Sequence, residues 1–326
     1  MRPKTKLRKP RISVSMCTYN GSRHLPEQLK SIADQTLLPY ELIVCDDGST
    51  DDTIEILESF RNNVAFPVCI VCNAINLGST RNFDQAISLA LGEFIALSDQ
   101  DDRWEKDKLE RLSDILLEDE SLGGVFSDVN LVDGQSQPIG LSIFERQRFT
   151  IAMQNRFRKS PLNVLLQRNV VTGASLMIRA TVRNYYDTIP SCCVHDEWIT
   201  WMIALHARIA LLPDRLTNYR LHTGQQIGAP GRKSLADIIS ESKRERQNLS
   251  RVSDIFDTLQ KYCTNRQDIK SSNIVFRLGQ KRDFLSYRSK LSANYLRRIL
   301  QIARVLPLYF RYDRGVKSVI KDFLLK

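Results

Sequence analysis

Three carboxylates crowd into four positions at Asp99-Gln100-Asp101-Asp102, directly behind the apolar run Phe94-Ile95-Ala96-Leu97 and just ahead of Trp104. Ionised carboxylates at that density repel one another, and packing alone seldom selects them. A hard divalent cation resolves the conflict, because it takes one or two carboxylate oxygens and fills its remaining positions from a substrate's phosphates. A second acidic knot, Asp46-Asp47-Gly48-Ser49, closes another apolar run, and Thr18-Tyr19-Asn20 closes a third. The rival reading of 99–102 is a solvated turn whose acids favour the N-terminus of the next helix. Seen alone, the cluster fits both.

The elements that must carry these clusters follow from apolar spacing. Residues 11–16 read as a strand, and 25–35 as a helix with Leu25, Leu29 and Ile32 on one face. Strands at 41–45, 68–72 and 94–97 alternate with helices at 51–60, 81–91 and 106–117, the last turning Leu109, Leu112, Ile115 and Leu116 inward. Strict alternation over about 120 residues implies a parallel sheet with helices on both faces. Such sheets bind ligands beyond the C-terminal ends of their strands, where all three polar clusters sit. Beyond residue 120 the alternation loosens, with strands at 124–127, 174–178 and 209–212 and helices at 161–168 and 196–206. After Gly224 the chain turns polar and helix-rich, with a loop at Gly228-Ala229-Pro230-Gly231.

A composition of 42% hydrophobic and 26% charged residues over 326 positions suits a soluble chain with one large core, or a catalytic domain and an appendage. No apolar run is long enough to cross a bilayer, and the N-terminal stretch lacks an apolar core of signal-peptide length. Seven cysteines are scattered, several inside apolar runs, which suits reduced thiols in a cytosol. Cys69 and Cys72 have knuckle spacing, but no second pair follows to complete a zinc site. The net charge of +10 lies at the ends: residues 1–11 carry six basic and no acidic side chains, 281–326 carry twelve basic and three acidic, and the body 12–280 is net −5. Over 290–306, Leu291, Tyr295, Ile299, Ile302 and Leu306 share one helical face, with Lys290, Arg297 and Arg304 on another. That pattern fits a helix lying on an anionic bilayer, and equally one packed on the chain's own acidic body. The aromatic–basic interleaving of RNA-binding modules is absent, so no nucleic-acid partner is expected.

Neither Gly-x-Gly-x-x-Gly nor Gly-Lys-Ser/Thr occurs, so phosphates need another anchor. The ordered motifs Val14-Ser15-Met16-Cys17-Thr18-Tyr19-Asn20, Ser31-Ile32-Ala33-Asp34-Gln35-Thr36, Asp46-Asp47-Gly48-Ser49-Thr50-Asp51, Asn76-Leu77-Gly78, Arg81-Asn82, Asp99-Gln100-Asp101 and Trp104 resemble the family 2 glycosyltransferases. The resemblance spans roughly residues 12–225. It implies an α/β GT-A fold, with a mostly parallel Rossmann-like nucleotide-binding sheet over 12–120 and an acceptor half over 121–225. A basic arm over 1–11 and a helical basic extension over 226–326 flank it.

Carried over by position, Tyr19 stacks near the nucleotide base and Asp47 hydrogen-bonds it, with Cys17, Thr18, Asn20 and Arg81 on the same nucleotide-sugar side. Cys17 stands where relatives often have a hydroxyl residue. Taken singly, Tyr19 reads as a buried aromatic and Asp47 as a turn residue. Asp99 and Asp101 form the Asp-x-Asp motif, touching ribose and a Mg²⁺ or Mn²⁺ ion, with Asp101 the direct ligand. Asn169-Val170-Val171-Thr172-Gly173-Ala174-Ser175 resembles the acceptor-side loop, so Gly173, with Trp104, His195 and Trp198, is assigned to acceptor binding. Trp198 also shares a helical stripe with Trp201, Met202 and Leu205 that reads as core.

Asp196 in Val194-His195-Asp196-Glu197-Trp198 falls where inverting members keep their catalytic base. Direct displacement at an anomeric carbon needs such a carboxylate to take the acceptor's proton. A helix N-terminus favours the anion and so weakens this base, and a plain N-cap would look the same in sequence. Asn218-Tyr219-Arg220-Leu221-His222-Thr223-Gly224-Gln225-Gln226 resembles the ending of bacterial members that include rhamnosyltransferases. There Arg220 pairs with the diphosphate and His222 caps the metal or leaving group.

The implied activity is inverting, metal-dependent transfer from a nucleotide-sugar donor, dTDP-rhamnose or a UDP-hexose, to a glycan or lipid-linked oligosaccharide. It belongs in the cytoplasm, with peripheral contact to the inner membrane. A catalytically silent nucleotide-sugar-binding scaffold with the same fold is the alternative.

Overall fold

A computed structural model describes residues 9–222, 235–266, 269, 272–292 and 294–324. The arm over 1–8, positions 223–226 of the closing motif and the loop Gly228–Gly231 lie outside the described residues. By contacts the chain divides into two compact units, one of residues 1–159 and 170–226, the other of 160–169 and 227–326.

In the first unit, alternation along β1 (Ile12–Thr18) decides how the sheet is covered. Ile12, Val14 and Met16 enter a core with Leu25, Leu29 and Ile32 of α1 (Leu25–Ala33), Leu57 of α2 (Thr53–Asn63) and Leu109, Leu112 and Leu116 of α4 (Lys108–Glu118). The intervening serines face the other way, where Ser15 Oγ donates to Ala86 O of α3 (Ser79–Ser88) at 3.2 Å. Small hydroxyls let that helix approach closely while satisfying its backbone. β2 (Glu41–Asp46), β3 (Val68–Cys72) and β4 (Phe94–Ser98) complete a parallel set in the order β3-β2-β1-β4. The predicted parallel sheet with helices on both faces is present.

Beyond β4 the pairing is mixed. β5 (Arg103–Trp104), β6 (Leu122–Val132), β7 (Pro138–Ser142), β8 (Leu176–Arg179) and β9 (Arg208–Arg220) extend the sheet as β4-β8-β6-β9-β5, with β7 on β6. The strand predicted at 209–212 runs on to Arg220, because register shifts against β6 absorb the break at Pro213-Asp214. β5 is too short to carry a periodic signal, yet it pairs antiparallel with β9, Arg103 opposite Asn218 and Trp104 opposite Thr217. The acidic turn is therefore strung between β4 and β9. Helices α5 (Ile143–Gln147), α6 (Ile151–Lys159) and α8 (His195–His206) complete the unit. α5 is started by a Ser142/Glu145 capping box, which sequence spacing alone left unread.

The second unit holds α7 (Pro161–Leu165), shorter than the predicted 161–168, and α9 (Leu235–Asn265), α10 (Ser272–Ser289), α11 (Tyr295–Arg304), α12 (Leu306–Tyr312) and α13 (Val316–Leu324). Its buried residues include Ile255, Leu259, Leu278, Phe284 and Tyr309, and the last two rings flank the buried Arg288 guanidinium. Arg288, 3% exposed, donates to Asp322 at 2.6 and 2.9 Å and pairs with Asp313, and Tyr309 Oη donates to Asp322 at 2.5 Å. Among the described residues no helix is long and apolar enough to cross a membrane.

Removing one partner of a buried ion pair leaves the other charge uncompensated. Asp322→Asn is expected to lower unfolding free energy by about 3 kcal/mol, measured by urea denaturation. An unchanged midpoint would show that the Arg288 cluster does not hold this unit together.

Candidate active site

The three polar strand ends meet. Gln100 Oε1 accepts from Tyr19 N at 2.9 Å and its Nε2 donates to Tyr19 O at 3.1 Å, clasping the end of β1 to the acidic turn. Asn20, in the left-handed region at φ 47°, receives Thr50 N on its Oδ1 at 2.8 Å and gives its own N–H to Ser49 Oγ at 2.8 Å. A Cβ on Gly21 would lie 2.2 Å from Gln100 Oε1, so a larger residue there would push the Gln100 side chain off its bonds to Tyr19. Asp46 organises its own turn, accepting from Ser49 N at 2.8 Å and from Thr18 Oγ1 at 2.7 Å. Thr18 is thereby buried with its hydroxyl committed.

Asp47 is 3% exposed and its carboxylate receives Leu77 N, Gly78 N and Asn73 Nδ2 at 2.7, 2.8 and 3.0 Å. It thus pins the 73–78 loop over the end of β2. Asn82 struts the same loop against β2, accepting from Asn73 Nδ2 at 2.9 Å and donating to Cys45 O at 2.7 Å. Burial, then the charges of Asp99 and Asp47 beside it, push the Cys17 thiol well up, so it faces the site neutral. Tyr19 is 43% exposed, not the buried aromatic its type alone predicts, and Arg81 is exposed.

The acidic turn is gripped from both sides by a polar stripe on and just past α1. Gln28 Nε2 donates to Ser98 Oγ at 2.8 Å, and Ser31 Oγ accepts from Trp104 N at 3.0 Å. Gln35 reaches Glu105 O at 2.7 Å and accepts from Leu109 N at 3.0 Å. Held there, the carboxylates cannot move apart. Burial and the negative charges of Asp101 and Asp196 raise Asp99 to about 7. Asp102 is fully buried, takes Arg220 N at 3.1 Å on Oδ1, and leaves Oδ2 without a hydrogen-bond partner. Burial and its acidic neighbours hold its pKa well above the usual range.

Lys108 is the counter-charge that sequence reasoning missed. It is fully buried, with Nζ 2.6 Å from Ala174 O, 2.9 Å from Thr217 Oγ1 and 3.8 Å from the centre of the Trp104 ring. Burial lowers its pKa to about 7 against the pull of Asp102 and Asp99. The signal was present: Lys108 lies four and eight residues before Leu112 and Leu116, on the inward stripe of its helix.

Asp196 sits in the first turn of α8, but Val194 is the N-cap, so a plain capping role is set aside. Its Oδ2 accepts from Gly173 N at 2.9 Å. Burial raises its pKa to about 6, outweighing the backbone donors that favour the anion. Its charge in turn raises Asp99, so both belong to one electrostatic site.

Several expected roles change. Arg220 is 2% exposed and bonds Asp101 O at 2.8 Å, Ser136 Oγ at 2.7 Å and Glu27 Oε2 at 2.5 Å. Its guanidinium is thus buried behind the turn and bonded to protein groups. Tyr219, one residue earlier and so on the opposite face of β9, is the side chain that feels Asp99, Asp102, Asp101 and Asp196. Trp104 and Trp198 are each 3% exposed and His195 is 6% exposed, so none offers an acceptor surface. His195 stacks on Phe83 at 3.8 Å between centroids, and burial lowers its pKa to about 3. Gly173 serves Asp196 through its backbone.

His222 meets Asp101 Oδ2 through Nε2 at 2.8 Å, and the His24 ring lies 5.1 Å away. Among the described residues no three His, Cys, Asp or Glu side chains gather into a full ligand set. Asp101 Oδ2 and His222 Nε2 are hydrogen-bonded to each other, and with that bond opened they present one carboxylate oxygen and one imidazole nitrogen. That fits a cation completing its shell from phosphates, and it fits no self-sufficient protein-only site.

A sequence model described as glycosyl transferase family 2 matches residues 13–178. An uncharacterized glycosyltransferase of Nostoc sp. is 25% identical over 244 residues, 73% of this chain and 71% of that protein. The dTDP-rhamnosyl transferase of Shigella flexneri is 38% identical over 108 residues, 31% of this chain and 37% of that protein. In structure, a mannosyltransferase from Pyrobaculum calidifontis in complex with GDP-Man and Mn²⁺ superposes with a TM-score of 0.57 at 16% identity, over 98% of this chain and 86% of that one. The fold is GT-A, as the motifs imply.

A carboxyl raised in the folded state contributes stability at low pH that is lost as pH climbs from its unfolded value through about 6. Against Asp196→Asn, the parent should therefore lose on the order of 2 kcal/mol between pH 4 and pH 7. Urea midpoints at pH 4.5 and 7.5 check this, and parallel pH profiles for the two proteins would refute it.

Proposed function

The chain belongs to glycosyl transferase family 2, and from that premise we propose that it transfers a sugar, with inversion, from a nucleoside diphosphate donor to a hydroxyl of a bacterial surface glycan. The observation that carries this reading is that Asp99, Asp101 and Asp196 share one electrostatic field, with Asp102 and the buried Lys108 ammonium in it. That field has an excess of negative charge that a cation-bound diphosphate would offset.

Asp196 acts as the base. Fixed through Gly173 N, and raised to about 6, it is ionised at neutral pH yet more basic than a solvated carboxylate. It takes the acceptor's proton as the new bond forms on the face opposite the leaving diphosphate. On the donor side, Tyr19 offers an exposed ring to the base, beside Cys17 and Asp47, with backbone from Thr18 and Asn20, and with Arg81 from α3. Asp101 and His222, with Asp99 beside them, would hold Mg²⁺ or Mn²⁺, which supplies neutralisation of charge on the departing diphosphate. Arg220 is assigned to positioning: it fixes Asp101 through its backbone and Asp102 through its carboxylate.

A dTDP-rhamnose donor is favoured by the rhamnosyl transferase match, with a UDP-hexose next. The acceptor is placed among surface polysaccharides or their lipid-linked precursors, at the cytoplasmic face of the membrane. A silent binding scaffold would retain the donor crevice but has no need of a desolvated carboxylate at Asp196.

Asp196→Asn should lower kcat by about 10³-fold while leaving the donor-induced thermal shift intact. In the parent, kcat/KM should rise with pH and level off above about 6, a limb the variant lacks. Full transfer by the variant would return the protein to the scaffold reading. Separately, UDP or dTDP with Mn²⁺ should raise the melting temperature, and Asp101→Ala should abolish that metal-dependent rise. No response to any pyrimidine diphosphate would refute the donor assignment.

A further inference from the structure

We propose that the outer face of α11, α12 and α13 docks on an anionic lipid bilayer. Between 294 and 324 the chain carries seven basic residues and two acidic ones. Both acids turn inward, since Asp322 and Asp313 pair with the buried Arg288. Six of the seven cations turn outward: Arg297, Arg304, Arg311, Arg314, Lys317 and Lys321 are exposed. Arg298 alone is buried, donating to Ser292 O at 2.7 Å. The two acids of this segment thus point inward while six of its cations are exposed.

The same surface is apolar. Leu296 and Leu300 are each 71% exposed, Val316 57%, Phe310 54% and Ile320 52%. Single exposed apolar residues are ordinary, but five along three successive short helices are not scattered. Four of the five are followed at once by a cation, in Leu296-Arg297, Phe310-Arg311, Val316-Lys317 and Ile320-Lys321. On a helix the next residue lies 100° around, so each cation borders an apolar stripe. Its stem can lie along acyl chains while its head meets lipid phosphate. An acidic protein surface would match the cations but leave the leucines and Phe310 facing polar groups. The stripe differs from the one that spacing predicts over 290–306. Leu291 and Ile302 of that stripe are 6% and 5% exposed and pack inward, while the neighbouring Leu296 and Leu300 face out.

This surface is read from the second unit alone and goes beyond the assignment of donor or base. Flotation of the full chain with phosphatidylglycerol/phosphatidylcholine vesicles tests it, against pure phosphatidylcholine and at low and high salt. The parent should float with the anionic vesicles, less so at high salt, and should stay behind with the neutral ones. Leu296→Ser/Leu300→Ser/Ile320→Ser and Arg297→Gln/Lys317→Gln/Lys321→Gln should each lower binding at least about tenfold, with melting temperature and the nucleotide-induced thermal shift retained. Should a triple variant melt early, Leu300→Ser and Lys321→Gln singly are read the same way, with smaller losses. No binding to anionic vesicles, equal binding to neutral ones, or binding that survives the apolar triple and falls only with the cation triple would overturn the proposal. The last outcome would mark the face as one for an acidic macromolecule. A lost nucleotide shift in the parent would count against the donor reading and leave the bilayer result standing.

Discussion

Like charges that cannot separate set the terms for the first unit. Asp99, Asp101 and Asp102 are neighbours in sequence, and Asp196 joins their field from α8. Left to relax, such groups would swing into water and the site would dissolve. They are kept in place by hydrogen bonds to the flanking chain: Gln28 to the Ser98 hydroxyl, Ser31 and Gln35 to the backbone beyond the turn, and β5 straps its far end to β9. Arg220 bonds the turn at Asp101 O and Asp102 Oδ1, and Lys108 sets a buried positive charge beside Asp102 and Asp99. A turn with more carboxylates than counter-charges is a costly feature for stability, and it is sustained by polar groups on and just past α1.

That arrangement explains what was legible in the sequence. The strand ends could be read because period-2 apolar runs stop abruptly at polar clusters, and β1, β2 and β4 do bring those clusters together. The Ser31 and Gln35 motif was visible only as part of a resemblance. Its physical reason, a clamp on residues 104–109, needs the fold. β5 escaped because two residues make no pattern, and the reach of β9 escaped because proline and aspartate interrupt it.

Four residues predicted for the site, Arg220, His195, Trp104 and Trp198, carry groups that commonly touch ligands, and all four are buried. Arg220 bonds the acidic turn from behind, and the two tryptophans and His195 pack inside the fold. Period-2 reasoning along β9 could have separated Arg220 from Tyr219, because Thr217 and Tyr219 share the face that meets Lys108 and the carboxylates. Lys108 was lost by the converse habit, since a lysine on a helix is normally solvated. Its position in the Leu112/Leu116 stripe was the contrary sign.

Asp196 shows how two opposing effects are decided by geometry. A carboxylate in the first turn of a helix should be a weak base, because backbone donors and the helix dipole favour its anion. Here Gly173 N adds a further donor, yet the pKa lies near 6, because burial outweighs all three backbone contributions. The donors then act mainly on orientation, fixing Oδ2 toward Gly173, while desolvation supplies basicity. Gly173 has no side chain to spare for this: a Cβ there would lie 2.9 Å from His195 Nε2 and 3.3 Å from Asp196 Cβ. The packing of His195 on Phe83 is thus part of what keeps the Asp196 carboxylate in its dry position.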